Sequence, residues 1–189
     1  MRSKAQFPSK FICLVSLALV LLTACSKQPQ PKREIVPRAT NLEVSQTIIG
    51  RVVRIADGDT VTVLDAMNTQ HRIRLQGIDA PESHQAFGTQ SKKTLSDMIF
   101  DKDVTVVYDK TDQYGRLVGK ILLDGKDINL EQVKAGMAWH YKEYEREQSP
   151  EVRDLYALAE VEARRERRGL WVDANPIEPG EFRRDEKRR

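Results

Sequence analysis

Residues 47–76 read TIIGRVVRIADGDTVTVLDAMNTQHRIRLQ, and this stretch decides the fold because it predicts three consecutive β-strands. Thr47 to Ile55 is rich in β-branched and apolar residues, and Thr60 to Leu64 is a second run of the same kind. Asp57-Gly58 between them is a strong turn signal. Gln70 to Gln76 alternates apolar and polar side chains, which predicts a third strand with one buried face.

The sequence downstream predicts helices and two further strands. Gly88 to Phe100 has apolar side chains at helical spacing, and a shorter helix is predicted from Asn129 to Ala135, ending at Gly136. Asp103 to Asp109 and Leu117 to Leu123 predict strands four and five. Together with a third helix near the C-terminal end, this order of strands and helices predicts an α+β fold, with a five-stranded, partly open OB-fold β-barrel and three helices. That fold commonly binds nucleic acid or sugar chains.

The third helix has the clearest boundaries. Ser149 suits its N-cap and Pro150 its first position. Apolar residues then recur at helical spacing, which predicts a buried face; they are Val152, Leu155, Tyr156, Ala159 and Ala163. Four arginines between Arg164 and Arg168 crowd the C-terminal end, where we expect a solvated helix end and keep a nucleic-acid patch as the alternative. Trp139 and Trp171 are expected to pack in the core or on the surface.

The N-terminal residues have the features of a processing signal. Arg2, Lys4 and Lys10 precede an apolar run from Phe11 to Leu22, which is shorter than a comfortable membrane span. The following Leu-Thr-Ala-Cys, residues 22–25, resembles the lipobox of bacterial lipoproteins. That resemblance implies that Cys25 becomes the lipidated first residue of the mature protein. An uncleaved anchor helix or an ordinary signal peptide are the alternatives.

Cysteine content and charge depend on this processing. The chain has two cysteines, and Cys13 would leave with the signal, so a disulfide framework is excluded in the mature protein. The full chain has 31 basic and 28 acidic residues. Residues 1–24 contain three basic residues and no acidic one, so the mature chain has equal numbers of each. Attraction for phosphate must therefore come from local clusters rather than from net charge.

These patterns predict four segments. Residues 1–24 form the signal peptide, and residues 25–46, polar and rich in proline, form a flexible tether from the lipidated cysteine. The folded domain covers residues 47–173. Residues 174–189 are rich in proline and charge, and we expect them to be a disordered tail.

Three carboxylates and two arginines stand at strand ends or in tight turns of the predicted barrel. Asp59, Asp79 and Glu82 offer the oxygen ligands that a hard divalent cation prefers. Arg74 and Arg116 offer guanidinium groups, which bind phosphate through two parallel hydrogen bonds. Together they could offset the charge of a phosphodiester transition state and activate water. Carboxylates and arginines near turns are, however, usually solvated or salt-bridged, and spacing alone does not separate the two interpretations.

Ordered motifs resolve this ambiguity by resemblance. Asp-Gly-Asp-Thr at 57–60, Arg-x-x-x-Ile-Asp-Ala-Pro-Glu at 74–82 and Asp-x-Tyr-Gly-Arg at 112–116 resemble the thermonuclease family, whose best-known member is staphylococcal nuclease. Similarity extends to Gly-Met-Ala-Trp at 136–139 and Arg-Gly-Leu-Trp at 168–171. The resemblance covers roughly residues 49–171, most of the predicted mature chain.

The resemblance implies a role for each matching residue. Asp59 and Asp79 match direct calcium ligands, with the backbone carbonyl of Ala80, where the best-known member has threonine, as a further ligand. Glu82 matches the proposed general base or organiser of the attacking water. Arg74 and Arg116 match the phosphate-binding arginines. Tyr114 matches a tyrosine near the nucleotide phosphate, and a second stacking tyrosine is expected at Tyr141 or Tyr144.

Other polar residues receive structural interpretations. His71, His84 and His140 lack zinc-ligand spacing. Asp57 is expected to shape its turn rather than bind metal. Asp112 is expected either to orient Arg116 or to cap a turn, and the sequence does not separate the two.

The sequence therefore predicts a calcium-dependent nuclease that cleaves DNA or RNA with little sequence specificity and, by resemblance, leaves 3′-phosphates. We expect a monomer, lipid-anchored in the cell envelope of a bacterium and facing the periplasm or exterior. The alternatives are an OB-fold lipoprotein that binds nucleic acid without cutting it and a structural envelope lipoprotein. The preference for DNA or RNA, the biological role and the membrane that holds the anchor are left open.

Overall fold

The computed structural model describes residues 45–189. The predicted signal peptide, Cys25 and all but the last two residues of the predicted tether lie outside the described residues. Within residues 45–189, the regular elements are eight strands, four α-helices and two short 3-10 helices. They are β1 (Gln46–Ile55), β2 (Thr60–Asp65), β3 (Gln70–Leu75), β4 (Ile78–Asp79), α1 (Gly88–Ile99), β5 (Asp103–Thr111), β6 (Leu117–Leu123), β7 (Lys126–Asp127), α2 (Ile128–Lys134), β8 (Trp139–His140), a 3-10 helix (Lys142–Glu147), α3 (Pro150–Arg165), a 3-10 helix (Gly169–Val172) and α4 (Pro179–Arg188).

Five strands form a closed barrel in the order β3-β2-β1-β5-β6. The neighbouring pairs in this order are antiparallel. A parallel pairing of β3 with β6, which sets Ile73 opposite Leu117 and Leu75 opposite Gly119, closes the barrel. The α+β fold with a five-stranded OB-fold barrel is therefore confirmed, and α1 lies between the third and fourth barrel strands as predicted.

The barrel interior is filled by the apolar side chains that the alternating pattern predicted to face inward. Ile73 and Leu75 of β3 are fully buried, whereas Arg72, directly before Ile73, is exposed. Leu95 and Ile99 of α1 belong to the same core. Burying each such aliphatic side chain contributes roughly 1.5–3 kcal/mol to stability, so the barrel supplies a rigid base for the loops at its rim.

Helix α3 begins as predicted but buries fewer residues than predicted. The hydroxyl of Ser149 accepts a hydrogen bond from the Val152 backbone N–H at 3.4 Å, and Pro150 is the first helical residue. Tyr156, Ala159 and Ala163 are buried, but Leu155 is 47% exposed. Leu155 precedes the buried Tyr156 by one position, which turns it about 100° away from the face that packs on the barrel.

The C-terminal residues depart from the expected disordered tail. Pro179–Arg188 forms helix α4, with Pro179 buried at its first position, where a missing N–H costs nothing. This is a fourth α-helix where three were predicted. The prediction of disorder was based on the low apolar content of this segment. Ion pairs at helical spacing within α4 and contacts with the domain stabilise the helix instead. In the part of the chain that the structure describes, no helix is long and apolar enough to cross a membrane.

Candidate active site

A single surface cavity of about 840 Å³ brings together the site residues that the sequence predicted. It lies at the rim of the barrel, beside β3, the β3–β4 connection and the turn between β5 and β6. The predicted residues that line it are Asp59, Arg74, Asp79, Ala80, Glu82, Tyr114 and Arg116. Residues separated by up to 57 positions in sequence therefore face one space.

The buried wall of the cavity consists of two carboxylates joined by one guanidinium. Arg74 Nη1 lies 2.7 Å from Asp59 Oδ2, and Arg74 Nη2 donates to Asp79 Oδ1 at 2.9 Å. The Ala80 backbone N–H also donates to Asp59 Oδ2, at 2.7 Å. All three charged side chains are largely buried. The arrangement holds both predicted metal ligands beside strand ends, Asp59 directly before β2 and Asp79 at the end of β4.

The turn at 57–59 positions the first of these carboxylates. Asp57 Oδ1 accepts a hydrogen bond from the Asp59 backbone N–H at 3.0 Å, which matches the turn-shaping role expected for Asp57. Gly58 has no room for a side chain, because a Cβ there would clash with Ser91 and lie 2.7 Å from the Ala80 Cβ. The Asp-Gly-Asp order thus follows from close packing of this turn against α1 and the segment after β4.

Electrostatics at the buried wall favour an added cation. The pKa of Asp59 is raised to about 7 in total. Burial raises it most, Arg74 lowers it, and the neighbouring carboxylates of Asp57 and Asp79 also raise it. Burial alone would lower the pKa of Arg74, but Asp59 and Asp79 together raise it above its ordinary value. Two carboxylates thus share the single guanidinium of Arg74 at this wall.

The donor chemistry at this wall is compatible with a hard divalent cation, which prefers oxygen ligands. Asp59 and Asp79 present carboxylate oxygens, and the charge of Asp79 is one of the causes that raise the pKa of Asp59. In the conformation described for residues 45–189, no group of three or more His, Cys, Asp or Glu side chains is spaced to hold a metal. Two arginines hydrogen-bond to the oxygens that would act as ligands.

The turn between β5 and β6 holds Arg116 at the more open side of the cavity. Gly115 has a φ of +73°, a backbone conformation that glycine adopts readily. Asp112 Oδ1 accepts hydrogen bonds from the backbone N–H groups of Tyr114 and Arg116, both at 2.9 Å. Asp112 Oδ2 accepts from Arg116 Nε at 2.7 Å, so Asp112 both caps the turn and orients the guanidinium. Arg116 Nη1 also lies 3.4 Å from the Thr60 hydroxyl.

Aromatic side chains line the same open side. The ring of Tyr114 is 68% exposed, and the Arg116 guanidinium lies 5.5 Å from its centre. Tyr141 and Tyr144 both line the cavity, with ring centres 5.0 Å apart. Because both reach the cavity, the structure does not separate these two candidates for the second stacking residue.

Arg183 is a residue of the cavity that sequence reasoning missed. It belongs to α4, and its Nη1 donates to Glu82 Oε1 at 2.8 Å while its Nη2 donates to Asp79 Oδ2 at 2.9 Å. The signal that could have found it is Pro179 at a helix start followed by Phe182, an apolar residue within a charged segment. Such a pattern indicates a helix that docks on the domain.

Other polar residues lie away from this site or have structural roles. Each histidine has a separate partner, namely Asp65 for His71, Glu186 for His84 and Gln148 for His140, so they form no common metal site. The arginines at the end of α3 do not line the cavity. Arg164 stacks 3.9 Å from the centre of the Trp171 ring and 4.8 Å from that of Trp139, beside the small core cluster that contains both tryptophans. Arg164 thus packs over the tryptophans while its side chain stays 44% exposed, so the expected solvated helix end is not contradicted.

Comparison with known proteins places this site in a family. The model of the family described as Staphylococcal nuclease homologue matches residues 72–173, so the chain belongs to this family. It is 40% identical over 178 residues to an "Uncharacterized endonuclease" of Haemophilus influenzae, covering 93% of this chain and 86% of that protein. It is 42% identical over 147 residues to a "Micrococcal nuclease" of Shigella flexneri, covering 73% and 82%. An "Uncharacterized endonuclease" of Escherichia coli is 41% identical over 133 residues, covering 70% and 82%.

Proposed function

We propose that this protein is a calcium-dependent nuclease that hydrolyses phosphodiester bonds of DNA, RNA or both with little sequence specificity. Family membership and the names of the similar proteins support action on nucleic acid. The observation that best supports hydrolysis is the convergence of Asp59, Asp79, Glu82 and two arginines on one cavity. A binding module would need the basic and aromatic groups but not a buried carboxylate pair.

Asp59 and Asp79, with the Ala80 carbonyl, are the proposed ligands of Ca²⁺. The raised pKa of Asp59 supports this assignment, since a cation would relieve the repulsion between the carboxylates. When bound, the cation would offset negative charge on the transition state and make bound water more acidic.

Glu82 is the proposed general base or organiser of the attacking water. Its side chain is partly exposed in the cavity, beside the proposed cation ligands. A carboxylate there can accept a proton from water or fix the direction of attack.

Arg74 and Arg116 are the proposed phosphate ligands. A guanidinium matches two phosphate oxygens and is charged throughout the physiological pH range. Because Asp112 already orients Arg116, that side chain loses little further entropy when it binds the scissile phosphate. Tyr114 beside it offers an exposed ring for the neighbouring nucleotide. By family resemblance, the products would carry 3′-phosphates.

The proposal extends to the location of the enzyme. Residues 22–25 end an apolar run in Leu-Thr-Ala-Cys, and this pattern supports lipidation of Cys25 and a place in the cell envelope facing the periplasm or exterior. In this proposal, residues 1–24 are removed and the domain acts as a monomer beyond a short tether. Cys25→Ala should move the protein from the membrane to the soluble fraction or leave it unprocessed. Wild-type protein that is soluble and unacylated in cells would contradict the anchor.

Digestion assays test the proposed activity. The purified full-length chain is incubated with plasmid DNA and with RNA in Ca²⁺, in Mg²⁺ or in excess chelator. We expect cutting with Ca²⁺, weaker cutting with Mg²⁺, which demands stricter geometry, and none with chelator. A chain that binds nucleic acid but leaves it intact with Ca²⁺ would favour the non-catalytic alternative, and undiminished cutting in chelator would exclude the metal mechanism.

A further inference from the structure

Helix α4 places a positive charge on residues that the proposed mechanism needs for other purposes. Arg183 bonds to both oxygens of Asp79, through Nη2 to Oδ2 at 2.9 Å and through Nη1 to Oδ1 at 3.3 Å. The same Nη1 donates to Glu82 Oε1 at 2.8 Å. One side chain therefore engages a proposed cation ligand and the proposed base.

Contacts on either side of Arg183 hold α4 against the domain. Gln85 Nε2 donates to the Ile177 carbonyl at 2.7 Å, just before the helix. Glu186 Oε1 lies 2.6 Å from His84 Nε2, one turn after Arg183. The Phe182 ring lies 5.2 Å from the His84 ring and lines a small pocket with other apolar side chains of the domain. The position of Arg183 is thus fixed by independent contacts rather than by its charge alone.

Docking of α4 and binding of a divalent cation compete for the same oxygens. A calcium ion needs its carboxylate oxygens at 2.3–2.6 Å, a typical range for this ion. Both oxygens of Asp79 already accept hydrogen bonds from arginine, and Arg183 would repel a cation placed beside them. Arg74 belongs to the barrel wall and stays in place, whereas Arg183 is supplied by a peripheral helix with a largely exposed surface.

We propose that α4 is an autoinhibitory segment whose Arg183 occupies the oxygens of Asp79, a proposed cation ligand, and of Glu82, the proposed base, so that calcium loading requires the helix to leave. This inference rests on the proposed function. By linkage, the helix weakens calcium binding by the same factor by which calcium weakens helix docking. Arg183 is 38% exposed and α4 is short, so release costs less than unfolding the barrel, and a bound cation would replace the positive charge that the buried Asp79 loses.

Calorimetric titration with CaCl₂ of the purified full-length chain, without nucleic acid, tests the competition. Arg183→Gln should bind Ca²⁺ about tenfold more tightly than wild type, within the 5–150-fold range usual for coupled sites. Arg184→Gln makes the same change of charge at an exposed position one residue along the helix and should leave the affinity unchanged.

Hydrogen exchange provides a measurement on the wild-type chain that needs no variant to fold. Adding Ca²⁺ should accelerate exchange of the backbone amides of residues 181–188 about tenfold or more, while the amides of β1 and β2 stay protected. In Arg183→Gln these α4 amides should exchange faster even without Ca²⁺.

The outcomes separate this inference from the nuclease proposal. Equal Ca²⁺ affinity in wild type and Arg183→Gln, with both chains cutting DNA, would overturn autoinhibition and leave the nuclease intact. Unchanged affinity with a turnover loss in Arg183→Gln would make Arg183 a phosphate ligand and also overturn it. If neither chain binds Ca²⁺ or cuts DNA, both proposals fail.

Discussion

The two proposed phosphate-binding arginines of the cavity occupy contrasting surroundings. Arg74 lies in the buried wall, where its two Nη groups each meet a buried carboxylate. Arg116 lies on the turn between β5 and β6, where one carboxylate, that of Asp112, orients it and its side chain is 21% exposed. The sequence predicts the same role for both, yet the structure gives them different neighbours.

This difference means that substituting Arg74 should affect both phosphate binding and fold stability, whereas substituting Arg116 should affect mainly phosphate binding. Removing a buried charge partner leaves the remaining charges uncompensated, which typically costs about 3–5 kcal/mol. Removing one partner of an exposed pair typically costs about 0–1 kcal/mol. Mutations at the two arginines should therefore affect turnover alike but stability differently.

Arg74→Ala should have the largest effect. It leaves the carboxylates of Asp59 and Asp79 buried beside each other without the guanidinium that joins them. We expect the free energy of unfolding to fall by about 3–5 kcal/mol and nuclease activity to be lost. Urea unfolding followed by circular dichroism, in chelator, measures the first, and digestion of plasmid DNA the second.

The same measurement on Arg116→Ala completes the comparison. It should lose activity while the free energy of unfolding falls by about 1 kcal/mol, the upper end for surface pairs, because the Arg116–Asp112 pair is only about a fifth exposed. An equal loss of unfolding free energy in the two variants would contradict the expected difference between the more buried Arg74 and the more accessible Arg116.

Arg116→Lys tests the open side at constant charge. Lysine loses the planar fork that matches two phosphate oxygens, and the donor is aimed at charge that increases in the transition state. Turnover at saturating DNA should fall on the order of a hundredfold, equivalent to about 3 kcal/mol, with stability unchanged. Arg165→Lys, an exposed residue at the end of α3, is the matched control and should cut at the wild-type rate. A fast Arg116→Lys together with a crippled Arg165→Lys would place the phosphate site elsewhere.

Sequence reasoning was sufficient for the barrel because its periodicities are local. Alternation around Ile73 and the turn signal at Asp57-Gly58 each depend on a few neighbouring residues. The structure also brings the predicted site residues to one cavity, because ordered motifs located Asp59, Asp79 and Arg116 near ends of strands that meet in the fold.

Properties that depend on contacts distant in sequence were not predictable in this way. Leu155 matches the helical stripe but faces away from the barrel, since the orientation of α3 is set by its packing partners. Residues 179–188 have too few apolar residues to predict order, and their structure depends on partners about 100 positions earlier, such as His84 and Glu82. The different surroundings of Arg74 and Arg116 likewise follow from burial, which no local pattern encodes.

Asp112→Asn should have the smallest effect and refines the account of the open side. Burial raises the pKa of Asp112, but hydrogen bonds from Arg116 and Tyr114 lower it more, so it lies below its ordinary value. A carboxyl with a lowered folded-state pKa stabilises the fold above its unfolded value of 3.8 and loses that contribution as pH falls through the folded-state pKa.

Asparagine at position 112 keeps the capping oxygen but removes the charge opposite Arg116. We therefore expect a turnover loss of about tenfold, smaller than that of Arg116→Lys, since orientation is weakened while the guanidinium remains. The variant should be less stable than wild type at pH 7, and the difference should shrink as the pH falls below 3.8 toward the lower folded-state pKa, where the wild-type carboxyl becomes protonated. Thermal unfolding of both chains at pH 7 and pH 3, with chelator present, measures this difference, and a gap that widens toward low pH would contradict a charged Asp112 holding the turn.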